Sequence, residues 1–158
     1  MSPAFPIDTE RVAILVPLAV GTTVFLGTIL VHALAVRVAV TFIRHERRVG
    51  RVGTSFWDDV SIVAGAISFA FAAHLTEIAL WAALFMMCGE FADFGAAFNH
   101  SAVNYTSLGY GDLVMSPSWR LLGPLAAANG LLMFGVSTAM IFAVVQRLLR
   151  ARFVDLRD

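Results

Sequence analysis

Thr106-Ser107-Leu108-Gly109-Tyr110-Gly111-Asp112-Leu113 is the stretch on which the fold turns. Two hydroxyl residues and a branched aliphatic lead directly into Gly-Tyr-Gly-Asp. The glycines allow backbone conformations that a β-carbon penalises. The stretch follows a short segment, Phe94 to Thr106, which Asn99, His100, Ser101 and Asn104 make too polar to cross a membrane. Long apolar segments lie on both sides. A short helix and a Gly-rich run between two spanning helices predict a re-entrant loop. Irregular backbone persists at membrane depth only where it is buried in protein or lines a watery cavity.

The rest of the chain supports that setting. It has 158 residues, 59% of them hydrophobic, and a mean hydropathy of +0.80. Soluble domains are nearer half apolar. Three apolar segments each exceed the ~20 residues that cross a ~30 Å hydrocarbon core. They run from Val12 to Val36 and on to about Ile43, from about Val60 to Met87, and from Leu121 to Leu149. The expected fold is an all-α membrane protein of three transmembrane helices plus one re-entrant helix, in one small unit.

Composition excludes several functions. The net charge is zero, so no nucleic-acid partner is expected. All eleven basic residues are arginine, and without lysine neither retinal nor pyridoxal has an amine to condense with. Cys88 is alone, which leaves no intrachain disulfide and no cysteine-based metal site. Met1 to Glu10 carries Asp8 and Glu10 and no base, so no secretory signal is expected.

The arginines set the topology. Arg44, Arg47, Arg48 and Arg51 follow the first span; Arg147, Arg150, Arg152 and Arg157 end the third; only Arg11 and Arg120 lie on the other side. Positive residues stay in the cytoplasm. The N-terminus and the Phe94–Trp119 loop are therefore expected outside and the C-terminus inside. Ser55-Phe56-Trp57-Asp58 reads as a capping box opening the second helix. Trp57 and Trp119 fall near opposite interfaces, where indoles settle.

Tyr105-Thr106-Ser107-Leu108-Gly109-Tyr110-Gly111-Asp112, continued by Trp119-Arg120 and then Gly130 and Gly135, resembles the pore module of prokaryotic two-helix potassium channels. The resemblance covers roughly residues 58–150. It implies an outer helix, a pore helix, a filter and an inner helix. The extra transmembrane helix and its basic connector then occupy 1–57 and a short cytoplasmic tail 151–158. The implied filter lies at Thr106, Ser107, Leu108, Gly109, Tyr110 and Gly111, with potassium at Ser107 to Tyr110. In such filters main-chain carbonyls replace the hydration shell of the ion. Ser107 would supply a hydroxyl ring at the cytoplasmic mouth, and Tyr110 would brace the loop. One copy per chain cannot encircle an ion, so a homotetramer is implied. Potassium enters as permeant ion rather than cofactor.

The chain departs from the family at two places. Thr-Val is usual where Ser107-Leu108 stands, and two tryptophans are frequent where Asn99 and His100 stand. Asn99 is expected to donate to Asp112 in place of one of them. A looser cuff would favour gating at the filter. In the inner helix Gly130 corresponds to the family's hinge glycine, with close helix packing as the alternative. Phe134 and Thr138 are expected to line the cavity beneath the filter. Phe142 and Gln146 continue that face to a lower constriction.

His74 and Glu77 sit three apart on one face of the second span. At ~1.5 Å per residue from Asp59 they lie ~22–27 Å in, level with the loop. They read either as a proton-sensitive brace behind the filter or as a polar pair bonded to Asn104 or Tyr105. His32, His45 and His100 are expected at other depths, which counts against a His/Glu metal site. Asn129 is expected to make an interhelical hydrogen bond. Glu90, Asp93 and Asp112 make the outer mouth acidic. The cytoplasmic arginines suit anionic lipid, and too few lie inside a span for a voltage sensor.

Potassium-selective conduction across a bacterial-type cell membrane is thus the leading function, with no enzymatic activity and no soluble ligand domain expected. The alternatives are a poorly selective monovalent cation channel, a membrane His/Glu metalloprotein using His74 and Glu77, and a non-conducting channel subunit.

Overall fold

A computed structural model describes residues 14–155. The expectations for Asp8, Glu10, Arg11, the first residues of span one and Arg157 lie outside the described residues. Four helices follow in order: α1 (Leu15–Arg48), α2 (Phe56–Met87), α3 (Phe94–Tyr105) and α4 (Leu122–Asp155). Three are long and apolar enough to cross a membrane. The long helices have 32 to 34 residues, about 48–51 Å at ~1.5 Å per residue. They overrun the hydrocarbon, so Arg44, Arg47 and Arg48 end α1 itself rather than lying in a connector. The 12 residues of α3 span only ~18 Å.

The helix ends explain the loops. After α1 and α2 the chain turns through Gly50 (φ 75°) and Gly89 (φ 77°). Arg51 N–H donates to Glu46 O and Glu90 N–H to Phe85 O, both at 3.1 Å. These are Schellman stops, in which a left-handed residue lets the chain fold back onto orphan carbonyls. Ser55 caps α2 by accepting from Trp57 N–H at 3.3 Å. The reciprocal half of the expected capping box is absent: Asp58 instead accepts from Arg51 Nε at 3.0 Å. Asp93 caps α3, accepting from Ala96 N–H at 2.8 Å.

Helix α3 is wedged between α2 and α4, and α1 packs on α2 and α4 without meeting α3. The main core lies around the wedge, with Trp81, Phe85, Tyr105, Leu122 and Ala126 fully buried. A smaller cluster of Ile62, Ala66, Val144 and Leu148 closes the arginine-rich end. There Arg51 pairs with Glu46 (2.9 Å) and Arg152 with Asp59 (3.0 Å).

Candidate functional site

The Gly-rich loop grows out of the end of α3. Ser107 N–H donates to Asn104 O at 2.8 Å and Leu108 N–H to Val103 O at 2.9 Å. This is the same stop that ends α1 and α2, but its left-handed position is held by Ser107, at φ 59°, and not by glycine. Positive φ recurs at Gly109 (61°) and Gly111 (71°), while Leu108 and Tyr110 stay negative. Among the described residues no backbone N–H donates to the carbonyl oxygens of Ser107 to Gly111. The Thr106 hydroxyl is spent on Ala102 O at 2.7 Å. Leu108 is 56% and Tyr110 70% exposed.

Beyond the loop, the acids divide by role. Glu90 accepts from Ser116 N–H (2.7 Å) and Ser116 Oγ (2.6 Å), tying the end of α2 to the loop's return. Asp93 is the α3 cap, and Asp112 is exposed. Asn99 is exposed too and is not brought to Asp112. His100, one residue and ~100° further round the helix, is the buried one. It packs against Phe91 and Phe85 at ring distances of 5.0 and 5.5 Å. Its Nε2 lies 3.1 Å from Asn104 Nδ2, which makes Nε2 an acceptor. Burial holds its pKa below the usual imidazole value, with Asp112 and Glu90 pulling the other way.

On α4, Gly130 faces the end of α3: a β-carbon there would lie 1.8 Å from Tyr105 O. Close packing is what the geometry requires of this glycine. Phe134 packs its ring on His74 (4.4 Å) and Tyr105 (5.6 Å) and is still 36% exposed. Thr138, Phe142 and Gln146 continue along an exposed face.

His74 and Glu77 belong to a larger arrangement than the sequence suggested. Tyr105 Oη donates to Glu77 Oε2 in a very short hydrogen bond and lies 3.0 Å from His74 Nδ1. Asn104 takes no part; it bonds His100. The expectation that His32 sits at another depth is overturned, because its Nδ1 is 2.9 Å from Glu77 Oε1. His32 lies ~24 Å from the C-terminal end of α1 and His74 ~27 Å from the N-terminal end of α2, the two ends joined by the Arg51 turn, at ~1.5 Å per residue. Counting both helices from those ends would have revealed the match. Ser137 was also missed. Its Oγ lies 3.1 Å from His32 Nε2 and 3.0 Å from His74 Nε2. One turn from His32 and from Glu77 along their helices, Thr28 Oγ1 (3.0 Å) and Trp81 Nε1 (2.7 Å) meet Asn129 Oδ1, the interhelical bond expected of it.

Residues 73–147 match the family model described as ion channel. The match begins within α2, takes in α3 and its loop, and ends on α4; α1 lies outside it. No curated protein and no solved structure matches the chain. The class defined by fold and match is an all-α, multi-pass membrane protein similar over that stretch to ion channels, and the match supports ion-channel function.

Proposed function

We propose that four copies of the chain form a potassium-selective channel in a bacterial-type plasma membrane, with Ser107 to Gly111 as its filter. The observation that carries this is the row of five carbonyl oxygens, on a backbone of alternating hand, to which no backbone N–H of a described residue donates. Lipid has nothing to offer such groups. A ring of copies around a file of partly dehydrated cations satisfies them all. Residues 58–150 are the pore domain. The N-terminus lies outside and the Arg-rich ends of α1 and α4 face the cytoplasm. Asp112 concentrates cations at the outer mouth, and Phe134, Thr138, Phe142 and Gln146 line the inner pathway.

Weaker selectivity is the second reading, and Ser107 favours it. A non-glycine residue in left-handed backbone carries strain, and it sits where the filter begins. Purified protein should size as a tetramer, and its liposomes should release potassium in a barium-sensitive way. A monomer, or tetramers without efflux, would refute the proposal.

A further inference from the structure

We propose that His32, His74 and Glu77, with Tyr105 as a fourth donor, form a binding site for a divalent ion of the zinc class. The side chains of His32, His74 and Glu77 are 4%, 9% and 0% exposed, and their donor atoms all lie within 4.8 Å of one another. Glu77 Oε1 is 2.9 Å from His32 Nδ1, and Glu77 Oε2 is 3.4 Å from His74 Nδ1. Tyr105 Oη is 3.0 Å from His74 Nδ1. The carboxylate thus sits 2.9 and 3.4 Å from the two imidazole nitrogens, a spacing at which a small shift of side chains admits one ion at ~2.0–2.2 Å from each donor. Two imidazole nitrogens and a carboxylate favour zinc, cobalt or nickel over calcium or magnesium.

The hydrogen count favours a cation among these donors. Glu77, His32, Ser137, His74 and Tyr105 close a ring of five contacts. With the carboxylate ionised and the imidazoles neutral, each of the other four side chains brings one ring hydrogen. Four hydrogens serve five contacts, so one contact sets lone pair against lone pair in a buried place. A metal on the Nδ1 side removes the shortage. Both imidazoles then carry hydrogen on Nε2, and both donate to Ser137 Oγ. A metal-bound histidine characteristically gives its other nitrogen to such an oxygen. The site draws on α1, α2 and α3, and Ser137 adds α4. Phe134, itself partly exposed, covers His74 from the exposed side of α4.

The test needs no current. Full-length protein is stripped with chelator and titrated with cobalt as a spectroscopic stand-in for zinc. The expected result is one equivalent per chain, with the visible absorption of a four-coordinate nitrogen–oxygen site and displacement by zinc. His32→Gln and Glu77→Gln should abolish that band, Ser137→Ala should weaken cobalt ~10–100-fold, and His45→Gln should change nothing. If Glu77→Gln does not fold, His32→Gln decides, together with a zinc-dependent rise in wild-type melting temperature. Folded wild-type protein that takes up no stoichiometric cobalt, or His32→Gln with an unchanged band, overturns the site and leaves a bound proton only as what completes the ring.

Discussion

The carbonyl oxygen of Tyr105 occupies the place where a side chain on residue 130 would begin, 1.8 Å from a β-carbon built on Gly130. The end of the pore-loop helix is thereby seated directly on α4. Since that oxygen is backbone, no rotamer change relieves a clash. Gly130→Ala should displace α3 and sharply lower the melting temperature in detergent. Gly135, with nothing within 4 Å of its β-position, should accept alanine and gain up to about 1 kcal/mol of helix propensity. If Gly130 served only as a hinge, both alanine variants would fold equally well.

Ser107 holds a left-handed position that Gly50 and Gly89 hold at the other helix ends. Ser107→Gly should stabilise the protein by about 1–2 kcal/mol, measured by thermal melting. In the same variant potassium preference should fall, because the hydroxyl at the base of the carbonyl row is gone. A melting temperature below wild type would contradict the strain assigned to Ser107.

Asn129 joins α1 and α2 to α4 through its single oxygen. Trp81→Phe removes the 2.7 Å donor and should cost about 1–3 kcal/mol. Thr28→Val should cost less, about 0.5–1.5 kcal/mol, since the one hydroxyl hydrogen of Thr28 is shared between Asn129 Oδ1 and the nearer Phe25 O at 2.7 Å. The two sites share an acceptor, so their effects should not add. Melting of both single variants and the double variant checks this.

His100 gives stability a pH dependence. Its folded pKa lies below the ordinary value of 6.5, chiefly through burial. Folding therefore favours the neutral ring. That contribution is complete above the ordinary value and is lost as pH falls through the depressed folded value. Protonation also removes the Nε2 lone pair that faces Asn104 Nδ2. Melting temperature should drop on acidification below about pH 6. His100→Phe, which keeps the packing against Phe85 and Phe91, should flatten that part of the curve. An identical acid limb in the variant would place the effect elsewhere.

Much of this was legible in the chain because the signals are local. Uninterrupted apolar runs marked α1, α2 and α4. The polar interruptions at Asn99, His100 and Asn104 set α3 apart, and Gly109 and Gly111 marked the irregular loop. The polar ring was legible only in part. His74 and Glu77 declare themselves by three-residue spacing on one helix. His32 and Ser137 are single polar residues in separate apolar segments, with no periodicity to connect them. Only the antiparallel packing of α1 and α4 on α2 brings them together. The role of Asp58 was hidden for a similar reason: Arg51, across the turn, competes for its carboxylate with the cap.

The most direct measurement is the reversal potential of purified protein in planar bilayers, with potassium and sodium gradients opposed. The account predicts a potential that follows potassium, approaching about 59 mV for a tenfold gradient, and current that barium blocks. A potential near zero with both ions carrying current would contradict potassium selectivity, and no current with either ion would contradict conduction itself.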